Sequence, residues 1–199
     1  PDIRQFTTVW MDSLRGGESM LVNTNKLIRF YDGATGLKTG STGSAGYCLS
    51  ATAEKNGMEL IAVVLKGKTS DERFSDAKSL LNYGFSTWSL VTVTPDEVLP
   101  PVPVTLGVRG TVQPVLTSEN TLLVEKTLAN GLTKEAALAE SVAAPVYAGD
   151  TLGQLTVRDA AGNTVAELPI LAGEDVGHVT FVQMLGRCLA RGFCMGPRS

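Results

Sequence analysis

The residues best suited to chemistry stand next to one another: Lys38, Thr39 and Gly40, followed directly by Ser41 and Thr42. They lead into an apolar stretch, 45–53, that is typical of a buried strand. In an extended segment the Lys and Thr side chains point to opposite faces, and Gly allows another backbone to lie close. Such a strand edge can hold a peptide by main-chain hydrogen bonds while the ammonium group and the hydroxyl meet a carboxylate. We therefore interpret this segment as a candidate binding site for a peptide-like ligand.

Two other interpretations fit parts of this segment. Lys-Thr-Gly by itself is equally compatible with a polar turn before a strand. The glycines before Lys38 resemble a phosphate-binding loop, but that motif needs Gly directly before the Lys, and Leu37 stands there. Without that glycine the close wrap of backbone amides round a phosphate is not encoded, which excludes the phosphate loop.

Further segments around the tripeptide follow one another in a recognisable order. They are Leu-Val-Asn-Thr-Asn-Lys-Leu at 21–27, Gly-Ala-Thr-Gly-Leu-Lys-Thr-Gly-Ser-Thr at 33–42, Ala-Gly-Tyr-Cys-Leu-Ser-Ala-Thr-Ala at 45–53 and Met-Glu-Leu-Ile-Ala-Val-Val at 58–64. Lys-Thr-Gly is one of the signature motifs of class A β-lactamases and penicillin-binding proteins. The whole succession resembles the C-terminal part of the catalytic domain of the D-alanyl-D-alanine carboxypeptidases, the low-molecular-mass penicillin-binding proteins of the S11 peptidase family.

The resemblance implies acyl transfer on peptidoglycan. A Ser would attack the peptide bond between the last two D-Ala residues of a stem peptide, D-Ala would leave, and water would release the acyl-enzyme. β-Lactams are the other ligands that the resemblance implies, with no cofactor and no metal. The implied location is the extracytoplasmic face of the bacterial cell membrane.

The resemblance also assigns roles to residues of this chain. Lys38 and Thr39 would bind the terminal carboxylate and shape the electrostatics, while the backbone N–H of Ser41 would form one arm of the oxyanion hole. The substrate-binding residues implied in this way are Lys38, Thr39, Gly40, Thr42 and Arg73. Arg73 falls in the first turn of a predicted helix, where a cation opposes the helix dipole. A solvated surface Arg is the alternative interpretation there.

The chain departs from the family pattern in what precedes Lys38. No Ser-x-x-Lys stands before that residue. Ser75-Asp-Ala-Lys78 has the right form, but it follows Lys-Thr-Gly, and Ser118-Glu-Asn120 imitates the Ser-x-Asn motif in the second module. We therefore expect the nucleophile to be absent, so that this chain would be the C-terminal piece of a carboxypeptidase and inactive alone.

Composition excludes other classes of function. The formal net charge of −3 provides no basic surface, so nucleic acid is not an expected partner. The spacing of Cys48, Cys188 and Cys194 matches no zinc site, and His178 has no evident ligand or catalytic partner. No apolar run is long enough to span a membrane.

The predicted fold class is α+β. We expect a partial catalytic domain of the β-lactamase and penicillin-binding-protein type over 1–90, with an antiparallel sheet and a helix. A Pro-rich linker over 91–106, a small all-β sandwich over 107–172 and an amphipathic segment over 173–199 follow. The clearest strands of the β domain are 111–116, 121–127, 151–158 and 164–171.

Two hairpins are predicted in the first domain. Thr7–Leu14 and Ser19–Asn23 form the first, with a short helix carrying Trp10 and Leu14 as the alternative. Asn23 and Asn25 are expected to be turn and support residues. Ala45–Ala53 and Met58–Lys66 form the second hairpin across Asn-Gly.

A helix is predicted after Thr69, whose hydroxyl forms a capping box with Glu72. Phe74, Ala77, Leu80 and Leu81 give it one apolar stripe, and Gly84 is expected to end it.

Both strands of the second hairpin are nearly continuously apolar, as in a sheet covered on both faces. Without the helices that carry the nucleophile, one face would be exposed. We expect that face to be covered by self-association, by exchange of elements between copies, or by the tail helix folding back.

The tail carries Val179, Val182, Leu185 and Leu189 near helical spacing, with Arg187 and Arg191 nearby. This predicts an amphipathic helix that lies on a membrane surface. An ordinary helix packed on the β domain, or a frayed end, are the alternatives. The β domain and tail also leave open another class of function, a non-catalytic module that binds cell wall, membrane or a partner.

Overall fold

The computed structural model describes residues 3–193, apart from the side chains of residues 188 and 190–193. Cys194 and the side chains of Cys188 and Arg191 therefore lie outside the described residues, and the expectations for them stay predictions. The chain divides into two compact units, Pro1–Val91 with Leu123–Ala129 and Thr92–Leu122 with Asn130–Ser199.

Strands make up most of the regular structure, together with a few helices, which confirms the predicted α+β class. The helices are Arg4–Thr7 (α1), Leu27–Phe30 (α2), Ser70–Thr87 (α3), Lys126–Ala129 (α4) and Phe181–Phe193 (α5). The strands are Met11–Leu14 (β1), Ser19–Val22 (β2), Ala34–Thr42 (β3), Gly46–Lys55 (β4), Met58–Gly67 (β5), Trp88–Thr92 (β6), Val102–Thr105 (β7), Thr111–Val112 (β8), Pro114–Leu116 (β9), Thr121–Glu125 (β10), Thr133–Leu138 (β11), Val142–Ala143 (β12), Thr151–Arg158 (β13) and Thr164–Ala172 (β14).

Strands β3, β4 and β5 form the antiparallel sheet of the first unit, in that order. Asn56 and Gly57 take positive φ values of 52° and 77°, which suit a tight turn and which these residue types tolerate. The predicted second hairpin is therefore confirmed. The side of the sheet that packs on α3 forms a core whose buried residues are Leu27, Leu49, Ala51, Ala53, Ala62, Val64, Phe74, Ala77 and Leu81.

The opposite side of β5 is exposed. Ile61, Val63 and Leu65 alternate with the buried Ala62 and Val64, and they are 69%, 57% and 72% exposed. The strand is apolar on both sides, as predicted, but within the described residues only one side is covered.

Helix α3 begins where the capping box predicts. The Glu72 N–H donates to Thr69 Oγ1 at 3.1 Å. The prediction that Gly84 ends the helix is wrong, because α3 continues to Thr87. Gly84 is instead a packing residue, since a Cβ there would lie 2.5 Å from Cδ1 of Leu60 on β5. Leu80 of the predicted apolar stripe is exposed, whereas the other three members are buried.

The first hairpin is confirmed in a shorter form. β1 and β2 pair antiparallel through a turn at Arg15–Gly17, which excludes a helix carrying Trp10 and Leu14. Thr7 was predicted to lie in the first strand but lies in α1, where its hydroxyl donates to the Thr35 carbonyl oxygen of β3 at 2.7 Å.

Strand β10 pairs with β6 in a two-stranded sheet. A strand over 121–127 in the β domain was predicted. That prediction is wrong about the residue at which the strand ends and about the sheet to which the strand belongs. The strand ends at Glu125, and Leu123–Ala129 belongs to the first unit. Lys126 begins α4, and its Nζ donates to the Phe85 carbonyl oxygen at 2.7 Å, which holds this segment to the end of α3.

The second unit is built on two sheets, with the strand orders β11-β13-β14-β9 and β12-β7-β8. β13 and β14 form the predicted hairpin, and Asp159 Oδ1 accepts from the N–H groups of Ala161 and Asn163 in its turn. One core of this unit is formed by Val102, Val104, Val112, Val146, Leu152, Ala172 and Val176. A second is formed by Val93, Leu155, Val157, Leu168 and Ile170.

The prediction that 91–106 is a linker is wrong. Val93, Val102 and Val104 are buried, and β7 is the middle strand of the sheet β12-β7-β8. Proline has no N–H to donate to a neighbouring strand. The pairing between β12 and β7 involves Val104 and Thr105 and not Pro103, so no N–H of residue 103 is needed for it. The second unit thus begins at residue 92 rather than 107. The predicted strand over 111–116 is likewise divided between two sheets, as β8 and β9.

The tail begins later than predicted. Val176 and Val179 are buried in the second unit, and Val146 and Val176 exchange main-chain hydrogen bonds of 2.8 and 3.0 Å. The helix itself starts at Phe181. Among the residues that the structure describes, none of the helices combines the length and the apolar character that a membrane span needs.

Candidate functional site

The predicted site residues lie on β3, which forms one edge of the sheet β3-β4-β5. Lys38, Thr39, Gly40 and Ser41 lie opposite Ser50, Leu49, Cys48 and Tyr47 of β4, respectively. Because β4 pairs with only one side of β3, the other side has no strand partner within the described residues. Main-chain pairing with an extended peptide requires an edge of this kind.

Lys38 and Thr39 differ in burial, as alternation along a strand predicts. Lys38 is exposed, whereas Thr39 is 8% exposed and lies opposite the buried Leu49. Nζ of Lys38 donates to the Thr39 carbonyl oxygen at 2.6 Å. The ammonium charge is therefore held against the backbone of the strand rather than extended into solvent.

Gly40 is exposed, and a Cβ placed on it would meet no atom within 4 Å in the part of the chain that the structure describes. By contrast, a Cβ on Gly36 would lie 3.0 Å from Thr7 Oγ1. The protein's own packing therefore accounts for Gly36 but not for Gly40. Open space over a strand glycine is suited to the close approach of a ligand backbone.

Arg73 is 7% exposed, so the alternative of a solvated surface Arg is wrong. Its Nη1 donates to the carbonyl oxygens of Gly40 and Cys48, both at 3.2 Å. Cys48 falls where the register between β4 and β5 shifts, between Tyr47 and Leu49. The helix dipole disfavours a cation in the first turn of α3, and the two carbonyl acceptors compensate for that effect.

The turn Asn23-Thr24-Asn25 supports the first half of β3. Asn25 is buried, and its Nδ2 donates to the Gly36 carbonyl oxygen at 2.9 Å while its Oδ1 accepts from the Leu27 N–H at 3.2 Å. Asn23 Oδ1 accepts from the Asn25 N–H at 2.9 Å. The predicted turn and support roles of the two asparagines are therefore confirmed.

Thr24 brings a second hydroxyl to the site, because its Oγ1 lies 2.7 Å from Thr39 Oγ1. Sequence reasoning missed this residue. It stands 15 residues before Thr39, and no helix or strand period connects a turn to a strand over that separation. The polar composition of the turn was the only available signal.

Ser41 and Thr42 lie at the end of β3, where the chain turns into β4, and both are exposed. Thr42 Oγ1 accepts from the Ala45 N–H at 3.0 Å, so one function of Thr42 is to shape the turn. The roles of the Ser41 backbone N–H and of Thr42 in ligand binding stay predictions.

The groups around β3 are an ammonium, a guanidinium and hydroxyls, which are donors suited to an anion such as a carboxylate. Clusters of His, Cys, Asp and Glu that could hold a metal ion are not found in the part of the chain that the structure describes. The arrangement can therefore bind the charged end of a peptide beside an open strand edge.

Comparison with known families accounts for most of both units. Residues 2–69 match the family model described as D-alanyl-D-alanine carboxypeptidase, and residues 91–178 match the one described as Penicillin-binding protein 5, C-terminal domain. The chain belongs to the D-alanyl-D-alanine carboxypeptidase family. The resemblance predicted from the segments around Lys-Thr-Gly is thereby confirmed.

Individual relatives agree with this family. The D-alanyl-D-alanine carboxypeptidase DacF of Bacillus subtilis (strain 168) is 33% identical over 192 residues, covering 94% of this chain and 49% of DacF. DacC of Escherichia coli (strain K12) is 30% identical over 143 residues, covering 71% of this chain and 36% of DacC. Penicillin binding protein 5 from Haemophilus influenzae has the same fold, with a TM-score of 0.71 at 23% identity over 88% of this chain and 51% of that chain. The chain spans about half the length of DacF.

The structure brings some of the predicted site residues together on β3 and places others on α3. Lys38, Thr39 and Gly40 share the open edge of β3, and Arg73 reaches that strand through a backbone carbonyl. Ser75, which opens the misplaced Ser-x-x-Lys, is exposed on α3.

Proposed function

We propose that this chain provides the substrate-binding strand and the C-terminal β domain of a serine-type D-Ala-D-Ala carboxypeptidase. The observation that carries the proposal is the edge formed by Lys38, Thr39 and Gly40. There an ammonium, a hydroxyl and an open glycine lie on a strand of which one side has no strand partner among the described residues. The relatives named D-alanyl-D-alanine carboxypeptidase support a substrate that ends in D-Ala-D-Ala. In this proposal that substrate is a peptidoglycan stem peptide.

In this proposal the terminal carboxylate of the substrate lies on Lys38 and Thr39, which form charge-assisted hydrogen bonds with it. The substrate backbone passes Gly40, where any side chain would obstruct it. The Ser41 N–H donates to the oxyanion of the tetrahedral intermediate. Arg73 holds the Gly40 carbonyl and so fixes the strand on which the substrate lies.

The covalent steps need a Ser nucleophile. Its oxygen attacks the carbonyl carbon of the penultimate D-Ala, the C–N bond breaks, and the leaving D-Ala takes up a proton. Water then hydrolyses the ester and restores the Ser. Because no Ser-x-x-Lys precedes Lys38 in this sequence, we propose that these residues do not catalyse the reaction alone. β-Lactams would acylate the same Ser in a polypeptide that carries it.

Mass spectrometry after incubation with penicillin tests the proposal. We expect no covalent adduct on the chain of 199 residues. When the same residues are joined to an N-terminal segment that supplies Ser-x-x-Lys, we expect one adduct on that Ser. The Ser75→Ala variant is the control for the misplaced motif. A stable adduct on Ser75, or on any other serine of the shorter chain, would contradict the proposed division of roles.

We also propose that α5 attaches the protein to the extracytoplasmic face of the bacterial membrane. Phe181 and Val182 are 81% and 76% exposed, and with the exposed Leu185 and Leu189 they form one apolar side of the helix. Arg187 lies on the other side, and it donates to the carbonyl oxygens of Gly107 and Val108 at 2.9 and 2.6 Å, respectively. The apolar side is thereby left free for lipid.

Sedimentation with anionic phospholipid vesicles tests this attachment. We expect the wild-type chain to sediment with the vesicles, and the double variant Phe181→Glu, Leu185→Glu to stay in solution. Gln183→Glu places a charge on the opposite side of the same helix and should leave binding nearly unchanged. Equal sedimentation of the double variant and the wild type would exclude the apolar side of α5 as the attachment surface.

A further inference from the structure

Two hydroxyl groups meet at the edge of the candidate site. Thr24 Oγ1 and Thr39 Oγ1 are 2.7 Å apart, the usual distance of an O–H···O hydrogen bond. Thr39 is almost completely buried, whereas Thr24 is exposed. The pair therefore joins a hydroxyl with little access to water to one at the surface.

Both backbones that carry these hydroxyls are held in place. Asn25 is 1% exposed and binds the Gly36 carbonyl of β3 through Nδ2. Asn23 binds the carbonyl oxygens of Thr7 and Val9 through its Nδ2, at 3.1 and 3.0 Å. The contact between the two hydroxyls is therefore set by fixed backbones and is not a chance meeting of surface side chains.

The direction of this hydrogen bond follows from the proton count. Each threonine hydroxyl has one proton to donate. When Thr39 donates its proton to a carboxylate, its oxygen can only accept in the contact with Thr24, so Thr24 must be the donor there. In the reverse arrangement Thr39 would present lone pairs to the anion and repel it. A chain of donors that all point toward a charge also polarises each member.

We propose that Thr24 is a positioning residue of the substrate site, whose hydroxyl donates to Thr39 Oγ1 and so directs the Thr39 proton to the terminal carboxylate of a D-Ala-D-Ala peptide. The inference rests on the proposed function, because it takes the carboxylate of that substrate as the ligand. Thr24 acts through Thr39 and forms no bond to the reacting atoms.

A purely structural role for the Thr24 hydroxyl is less consistent with the contacts. The amide side chains of Asn23 and Asn25 make the hydrogen bonds that hold the turn. Thr24 itself is exposed and contributes nothing to the buried core of the first unit. Removal of its hydroxyl should therefore leave the turn in place.

The test measures binding of two probes to the full chain by the NMR shifts of the Gly40 and Ser41 amides. The probes are N-acetyl-D-Ala-D-Ala and the same dipeptide with a C-terminal carboxamide. Thr24→Val removes the hydroxyl at nearly constant shape, and Thr24→Ser keeps it. We expect Thr24→Val to lower the affinity for the carboxylate probe by about threefold to tenfold, because one hydrogen bond is lost. Thr24→Ser should bind like the wild type, and the carboxamide probe should be unaffected.

A double-mutant cycle with Thr39→Val separates positioning from other roles. If Thr24 acts through Thr39, then Thr24→Val has no further effect once the Thr39 hydroxyl is gone. The inference would be overturned if Thr24→Val lowered the affinity for the carboxylate probe by the same factor in the Thr39→Val variant as in the wild type. Unchanged affinity of the Thr24→Val single variant for that probe would also overturn it. A wild-type chain that does not distinguish the two probes would contradict the proposed function itself. The amide shifts of β4 and β5 report whether each variant is folded, and Thr24→Ala is a second variant that lacks the hydroxyl.

Discussion

Arg73 of α3 donates from Nη1 to the carbonyl oxygen of Gly40 in β3 at 3.2 Å. The same nitrogen donates to the Cys48 carbonyl oxygen of β4, also at 3.2 Å, so one buried guanidinium ties the helix to both strands. Gly40 has no side chain through which it could be held, and a Cβ placed on it would meet no atom of the described residues within 4 Å. The hydrogen bond from Arg73 to the Gly40 carbonyl oxygen therefore holds this part of β3 in position.

Loss of the Arg73 guanidinium should destabilise the first unit. Arg73→Met leaves two partly buried carbonyl groups without this donor, which should lower the free energy of unfolding by about 1–3 kcal/mol. Arg73→Lys keeps the charge but lacks the planar fork, so it should restore only part of that loss. Urea unfolding followed by tryptophan fluorescence measures the effect. Lys68→Met, at an exposed residue next to α3, is the control and should change little. Wild-type stability of Arg73→Met would show that the contact does not hold the strand.

Gly40→Ala should separate binding from folding. Since a Cβ at Gly40 meets no protein atom within 4 Å, the variant should unfold at the wild-type temperature. The added methyl would occupy the space proposed for the substrate backbone, so binding of N-acetyl-D-Ala-D-Ala should weaken by about tenfold or more. Gly36→Ala is the matched control, because its Cβ would meet Thr7 and should lower stability by about 1–3 kcal/mol. Unchanged probe binding by Gly40→Ala would place the ligand elsewhere.

Lys38→Ala should leave the fold intact, because Lys38 is exposed and lies outside the core. In a polypeptide that also carries the nucleophile, we expect the second-order rate constant of acylation by penicillin to fall by about 100-fold or more, as for loss of an electrostatic donor at a reaction site. Stopped-flow kinetics with a fluorescent penicillin measures this rate constant. Lys38→Arg keeps the charge and should retain part of the rate. An undiminished rate in Lys38→Ala would contradict the role given to the Lys-Thr-Gly strand.

The parts of the fold that could be predicted from sequence are those encoded within a few residues. The turn at Asn56-Gly57 needs positive φ values that these residues tolerate, and the helix after Thr69 needs an N-cap hydroxyl. The order of segments around Lys38 also identified the family. Each of these signals lies next to the element that it specifies.

The errors concern residues whose partners are distant in sequence. The prediction that Gly84 ends the helix is wrong because its contact with Leu60, 24 residues away, leaves no trace in the local sequence pattern. The linker prediction for the segment around Pro103 is wrong because prolines mask a strand there, and one of its two pairing partners, Val142–Ala143, lies far along the chain. In the site, the contact between Thr24 and Thr39 was missed for the same reason.

The exposed side of β5 should make the chain associate with itself. Ile61, Val63 and Leu65 together present an apolar surface on a strand whose other side contributes Ala62 and Val64 to the buried core. Burial of apolar area contributes about 25 cal/mol per Å², so leaving a few hundred Å² of apolar sheet exposed lowers the free energy of unfolding by roughly 5–10 kcal/mol. This is comparable with the whole stability of a typical domain. Pairing of this face between copies would recover part of that free energy.

Analytical ultracentrifugation of the full chain at micromolar concentration tests the association. We expect a dimer or a larger species. When Ile61, Val63 and Leu65 are all replaced by Thr, we expect a shift to monomer, because Thr is also favoured in strands but exposes less apolar area. Val98→Thr, at a residue that is 92% exposed in the second unit, is the control and should not change the association. A chain that begins at Thr92 keeps the buried Val93, Val102 and Val104 and should be monomeric. A wild-type chain that is a compact monomer with one cooperative unfolding transition would show that this face is stable in water, and the triple variant would then sediment no differently.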